Sequence, residues 1–408
     1  MPDVSGGARR ILRDASLSAV TAGAVAVMVS FAGPLTIVVR AAHAGHLTEA
    51  QLSSWIWAIS LGSGLTGLAL SLRHRAPVVA AWSTPGAALL VGQLDEIGYE
   101  AAIGAYLAAA ALTVLVGVTG LFDALMRRIP PAVVSAVLAG VLVRFGLDAF
   151  RALEDSPALA AAVLAGYVLC QRAAPRYAIA LPLAAGVAVA AVTGSLSPSG
   201  TRLSLATPVF TVPAWPAEAL VSLALPLFLV TMSAQNAPGV AALRDAGYPV
   251  PTGSLIRGTG VAGVVFAPFG AHALNLGAIT AAICTGPDAH EDRDRRYVAG
   301  LSCGILFVAV GLFGTTVAGL FAALPPALIA ATAGIALLGA LGGSFSGAFT
   351  EAEDRTAALV AFLATASGLT LLGLGAAFWG LVFGVVCRAV LRRPDQDRRT
   401  AGERVERK

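Results

Sequence analysis

A few polar side chains interrupt a chain that is otherwise almost entirely apolar, and their types suit binding rather than bond-breaking. Ser83 and Thr84 stand before Pro85 and Gly86, and Gln235 and Asn236 stand before Ala237-Pro238-Gly239. His272 and Asn275 lie between Gly270 and Gly277. Hydroxyls, amides and backbone N–H groups freed by a broken helix are donors for an anion. An imidazole among them adds a group able to take up a proton near neutral pH, and His272 is the expected proton-coupling residue. No carboxylate falls in the middle of these stretches; Asp123 and Glu218 lie at span ends. A further pair, Arg144 and Asp148, shares a helix face at four-residue spacing. An internal ion pair is the first expectation for it, and direct pairing of Arg144 with an anionic substrate is the alternative.

These residues need elements that reach into a membrane. Hydrophobic residues make up 57% of the 408 positions and charged residues 12%, against roughly 25% charged in an average soluble domain. The runs Leu17–Val39 and Tyr297–Leu324 exceed the roughly 18 apolar residues that mark a spanning helix. The first is too long for a signal-peptide core and is expected to stay in the mature chain. Cys170, Cys284, Cys303 and Cys387 are scattered singly, so no disulfide framework, metal site or cofactor is expected. The net charge of +4 comes from loop and tail arginines rather than a nucleic-acid-binding stripe.

Fourteen spans are predicted, at 16–39, 52–72, 77–93, 100–121, 131–149, 157–170, 177–194, 217–235, 253–267, 270–285, 297–322, 325–343, 355–371 and 374–391. Ser195–Pro216, rich in Pro, Ser and Thr, separates the seventh from the eighth. With both termini cytoplasmic, 23 of the 27 basic residues fall inside. Arg40, Arg151 and Arg202 fall outside and Arg144 lies within a span, a bias that follows the positive-inside rule. Seven spans per half is an odd number, so a second half built like the first is inverted: residues 1–198 and 217–391 form two inverted repeats, followed by a cytoplasmic basic tail at 392–408. Pro130-Pro131-Ala132 and Pro325-Pro326-Ala327 open matching spans after Gly-Leu-Phe runs in both halves. Spans one and eight both end in Pro-containing breaks, Phe31-Ala32-Gly33-Pro34 and Asn236-Ala237-Pro238-Gly239.

Spans three and ten are the unusual ones. Pro85 lacks a donor and disfavours helix at Thr84, so Thr84-Pro85-Gly86-Ala87 reads as an N-cap with Pro at the first helical position. A half-helix starting there aims its positive dipole end at the bilayer midplane. Gly270, Gly277 and Asn275 give span ten the same character from the opposite face. Matched, broken spans in two halves point to a transport site. No ring of like charges or repeated filter sequence suggests a channel. No HExxH, Ser/His or paired-Asp arrangement suggests an enzyme.

At these residues the chain resembles the benzoate:proton symporter (BenE-type) family. The matching motifs are Ala81-Trp82-Ser83-Thr84-Pro85-Gly86-Ala87-Ala88, Gln235-Asn236-Ala237-Pro238-Gly239-Val240, and Ala267-Pro268-Phe269-Gly270-Ala271-His272-Ala273 through Cys284-Thr285-Gly286-Pro287. Arg144-Phe145-Gly146 and Ala174-Pro175-Arg176-Tyr177 fit as well. The resemblance implies an all-α integral membrane fold similar to the uracil permease type, in which spans three and ten are half-helices led by short extended segments. It implies a core domain from 16–121 and 217–322, a gate domain from 130–194 and 325–391, and a multi-pass inner-membrane location; homodimers are common among such relatives. Nucleobase transporters of this fold carry glutamates in spans eight and ten, where this chain has Gln235, Asn236, His272 and Asn275. An anion suits that difference. The expected activity is uptake of benzoate or a related aromatic carboxylate with a proton, the ring packing on Phe31 and Phe269; transport of another anion is the alternative.

Overall fold

Alanine and leucine, the strongest helix formers, dominate the apolar runs. Each of the fourteen predicted segments accordingly holds a helix, a helix pair, or a short strand followed by a helix. The computed structural model describes residues 11, 13–32, 34–122, 124, 130–173, 177–178, 180–196, 203–286, 289–369, 371 and 376–391. Gly33, Asp123, Arg127, Arg128, Ala174–Arg176, Arg202, Pro287 and the tail 392–408 lie outside the described residues, as do Arg9 and Arg10.

The first half comprises α1 (Leu17–Ala32), α2 (Pro34–Ala44), α3 (Glu49–His74), β1 (Ala80–Trp82), α4 (Thr84–Val91), α5 (Tyr99–Thr119), α6 (Pro131–Asp155), α7 (Pro157–Ala173) and α8 (Ala180–Val192). The second comprises α9 (Ala217–Arg244), α10 (Thr252–Phe266), β2 (Leu274–Leu276), α11 (Ala278–Thr285), α12 (Tyr297–Leu312), α13 (Gly314–Ala322), α14 (Pro326–Phe349), α15 (Arg355–Ala366) and α16 (Ala376–Leu391). Among the described residues six helices are long and apolar enough to cross a membrane: α3, α5, α6, α9, α14 and the stretch Arg293–Leu312 that contains α12. The protein is a mostly helical, multi-pass membrane protein.

Two predicted boundaries change. Span eight is unbroken: α9 runs through Asn236-Ala237-Pro238-Gly239 and absorbs its prolines in two π-turns, Leu220–Ala224 and Met232–Asn236. A proline inside a helix frees the carbonyl four residues back, and Gln93 Nε2 donates to the carbonyl that Pro226 frees, that of Ser222, at 3.2 Å. Span eleven, expected as one helix, divides at Phe313 between α12 and α13.

Glycine sets how closely the helices approach. A Cβ on Gly64 of α3 would lie 2.7 Å from the Gly304 carbonyl of α12, and one on Gly304 would lie 2.8 Å from the Gly64 carbonyl. Small-residue contact of this kind replaces the hydrophobic effect as the driving force between helices in lipid. The connection after residue 203 runs back over the bundle, its Ala206, Thr211 and Ala214 N–H groups donating to the carbonyls of Leu312, Pro268 and Glu100.

Gly304→Val should therefore lower the detergent unfolding temperature by several degrees or abolish a monodisperse peak, because overpacking costs about 1–3 kcal/mol. Gly339→Val, on open space in α14, should leave both unchanged.

Candidate functional site

The two broken segments satisfy each other. β1 and β2 pair antiparallel with Ala80 opposite Leu276, Ala81 opposite Asn275 and Trp82 opposite Leu274. Gly277 N–H to Val79 O (2.9 Å) and Ser83 N–H to Ala273 O (3.1 Å) extend the pairing at both ends. Each strand leads directly into a half-helix, α4 and α11, of eight residues.

Most of the polar residues singled out from the sequence hold this arrangement in place. Ser83 is the N-cap of α4: its hydroxyl accepts from Gly86 N–H at 3.0 Å and from the Thr231 hydroxyl of α9 at 3.3 Å. With Ser83 N–H bound to Ala273 and Pro85 lacking an N–H, Thr84 N–H is the one first-turn donor of α4 that these bonds leave over. The helix end thus presents its dipole but not the row of N–H groups expected. Asn236 is fully buried, and its Oδ1 accepts from Leu276 N–H at 3.0 Å along the outer edge of β2.

His272, also fully buried, bridges two elements. The Trp55 indole N–H of α3 donates to Nδ1 at 2.8 Å, and Nε2 lies 3.1 Å from the Ser83 carbonyl. An indole N–H only donates and a carbonyl only accepts, so the proton sits on Nε2 and Nδ1 is the acceptor. A second proton on Nδ1 would have to displace Trp55. In this conformation His272 is a neutral brace with no lone pair to spare.

What is left over marks the place for a guest. Asn275 Nδ2 donates to Ala273 O at 2.9 Å, which fixes the amide orientation and leaves Oδ1 buried without a partner. The buried Thr280 hydroxyl of α11 likewise has none. It lies where a Cβ on Gly277 would fall, at 2.1 Å, and that same Cβ would sit 3.6 Å from Ala81 Cβ. Asn275, opposite Ala81, projects from the same face of the pair as Ala81. Trp82 Nε1 is a third orphan. Such groups are rare in native interiors and each calls for an explanation. Thr280 and Trp82 escaped the sequence reading because a threonine or tryptophan in an apolar run looks like ordinary packing; the Gly277-x-x-Thr280 spacing was the available signal.

The aromatic residues divide. Phe31 meets Trp82 edge-on at 5.1 Å between centroids, and both meet Phe307, at 5.8 and 5.7 Å. Phe269 packs instead on Trp57 (5.5 Å) and Phe210 (5.8 Å). Phe31 and Phe269 therefore belong to separate clusters and do not form one wall. Gln235 is half-buried in the second π-turn of α9. Beside Thr231, Ala273 and Leu274 is a cavity of only about 10 Å³, room for about one water.

The expected Arg144–Asp148 pair does not form. Asp148 is held by Arg40 of α2 and by Arg151 at 3.5 Å. Arg144 is exposed, and its Nε and Nη2 donate to Ala366 O, the last residue of α15, at 3.3 and 3.1 Å.

Broken helices that pair as short strands inside a helical bundle suit a membrane transport site, and the overall fold has solved counterparts. The transmembrane domain of a cyanobacterial bicarbonate transporter, BicA, aligns with a TM-score of 0.57 at 14% identity over 92% of this chain and 96% of that one. SLC26A9 aligns with a TM-score of 0.60 at 12% identity, over 92% of this chain and 65% of that one. At those identities the likeness shows the fold. The family model described as "Benzoate membrane transport protein" matches residues 13–390, and the chain belongs to that family. Among its relatives are the benzoate membrane transport protein of Acinetobacter baylyi, 40% identical over 95% of this chain and 98% of that protein, and the Escherichia coli inner membrane protein YdcO, 45% identical over 91% and 95%.

Removing the brace tests its role. His272→Ala strands the Trp55 indole N–H and the Ser83 carbonyl, at about 1–3 kcal/mol each. It should lower the unfolding temperature markedly, while the uptake that remains keeps the pH dependence of the parent protein. A His272→Gln protein that is as stable as the parent but transports independently of pH would instead make the imidazole the proton carrier.

Proposed function

We propose that the chain is a secondary active transporter that takes up benzoate or a closely related aromatic carboxylate together with a proton, by alternating access across the inner membrane. The observation that carries this reading is the orphan pair on one face of the strands, Asn275 Oδ1 and Thr280 Oγ1. A carboxylic acid offers one O–H donor and one C=O acceptor. Its O–H suits the Asn275 oxygen, which can only accept, and its carbonyl suits the Thr280 hydroxyl. On this reading the coupled proton rides on the guest, and His272 positions the site. Thr84 N–H and the half-helix dipoles add to the attraction, Ser83, Pro85, Gly86 and Asn236 shape the pocket, and Gln235 stands on its edge; Trp82, on which Phe31 rests, projects from the opposite face of the strand pair.

The packing pattern supports fourteen crossings in two inverted repeats. Shifting every element by seven spans maps contacts onto contacts: α3·α12 onto α10·α5, α1·α12 onto α9·α5, α1·α11 onto α9·α4, and α7·α8 onto α15·α16. The strand pair, α3·α10 and α6·α14 map onto themselves, as elements on a two-fold axis in the membrane plane would. The elements around the strands form the proposed core and α6–α8 with α14–α16 the proposed gate. The arginine distribution supports cytoplasmic termini.

Thr280→Val and Asn275→Leu should each raise the KM for benzoate uptake in proteoliposomes by about tenfold or more, since a lost hydrogen bond to a buried group is worth about 1–3 kcal/mol. Thr280→Ser should stay near the parent value. Unchanged KM in both substituted proteins would move the site elsewhere.

A further inference from the structure

Four basic residues escape the inward bias, and three of them meet in one place. Arg40, Arg144 and Arg151 line a cavity of about 590 Å³ between α2 and α4 on one side and α6 and α15 on the other; Arg202 lies outside the described residues. The volume is in the range of small-molecule sites. Ala88, Leu89 and Val91 form its wall along α4. Leu89 is three residues, about 4.5 Å of helix rise, from Gly86 at the half-helix start.

The charges lining the cavity are unevenly committed. Asp148 is shared by Arg40 and Arg151, and Arg40 also stacks over Phe145 at 5.2 Å. Glu96 stands on the rim beside α4. Arg144 has no carboxylate partner among the described residues: its Nε and Nη2 rest on one carbonyl, leaving its charge unneutralised. Its guanidinium lies against Gly368, where φ is +72° and a Cβ would fall 2.0 Å from Nη2. The fork is therefore held at the cavity wall by a residue with no side chain to displace it.

We propose that Arg144 forms an outer anion subsite, which holds the substrate in its ionised carboxylate form before it takes up a proton from the outer solution and reaches the strand pair as the acid. The inference rests on the proposed function for the identity of the carboxylate, but not for the existence of the subsite. A positive group in a low-dielectric cleft concentrates anions and raises their rate of arrival. Arg suits a carboxylate better than Lys because two parallel N–H groups meet its two oxygens.

The test reads the cavity without requiring transport. Leu147 lines the cavity and is half-exposed, so Leu147→Cys in nanodiscs reports the local potential through its reaction rates with anionic and cationic methanethiosulfonates, after subtraction of labelling at the native cysteines. Val141→Cys, also in the lining, replaces it if that protein does not fold. The anion-to-cation rate ratio should fall about tenfold when Arg144→Gln is added and be largely kept with Arg144→Lys. Benzoate should slow labelling of the Arg144 protein and not of the Arg144→Gln protein. A ratio unaffected by Arg144→Gln, or equal protection of both proteins by benzoate, would overturn the subsite. Arg144-dependent protection by other carboxylates, in a protein that takes up no benzoate, would keep the subsite and remove benzoate as the substrate.

Discussion

An interrupted helix inside a bilayer exposes backbone groups that lipid cannot satisfy, at several kcal/mol each. The protein meets this constraint by pairing its two interruptions with each other. Three residues of β1 and three of β2 exchange hydrogen bonds in register, and side chains from three other places close the ends. Ser83 caps α4, Asn236 of α9 takes the free edge of β2, and His272 ties the Ser83 carbonyl to Trp55 of α3. Remove the pairing and neither half-helix has a fixed start. The surrounding helices, with their glycine contacts, serve to keep these few polar groups dry and in place.

This division of labour changes how the polar residues are read. The groups most suggestive of chemistry, His272 and the buried Asn236, are consumed by the architecture. On the strands and at the start of α11 the groups left over, among ten such buried atoms in the described residues, are less conspicuous: an amide oxygen, a threonine hydroxyl and an indole N–H. An acceptor with no donor, beside a hydroxyl, is poorly matched to a bare carboxylate and well matched to a carboxylic acid. Moving the guest as the acid also removes the penalty of carrying charge against the membrane potential, about 2.3 kcal/mol per charge per 100 mV. The outer cavity, with the unneutralised Arg144, suits the anion; the strand pair suits the acid.

The sequence disclosed the half-helix because Pro85 acts locally, fixing φ and removing a donor, but it put the cap one residue late: Ser83, not Thr84, is the N-cap. It disclosed the break at Gly270–Gly277 for similar reasons. It misread Asn236-Ala237-Pro238-Gly239 as a break because a π-turn, Met232–Asn236, carries the helix through the proline, and no local pattern distinguishes such a turn from a break. The Arg144–Asp148 pair failed for the same reason: four-residue spacing places two side chains on one face, but Arg40, 108 residues from Asp148, reaches the carboxylate instead. Hydrogen-bond partners across the fold, and the orphans they leave, become visible only once the helices are packed.

The central claim is that the proton crosses with the guest, bound as an acid between Asn275 and Thr280. The most direct measurement is labelled benzoate uptake into proteoliposomes with the pH gradient and the membrane potential imposed separately. The account predicts uptake driven by an alkaline interior and indifferent to potential at zero pH gradient. Uptake driven by potential alone, or insensitive to the pH gradient, would contradict it.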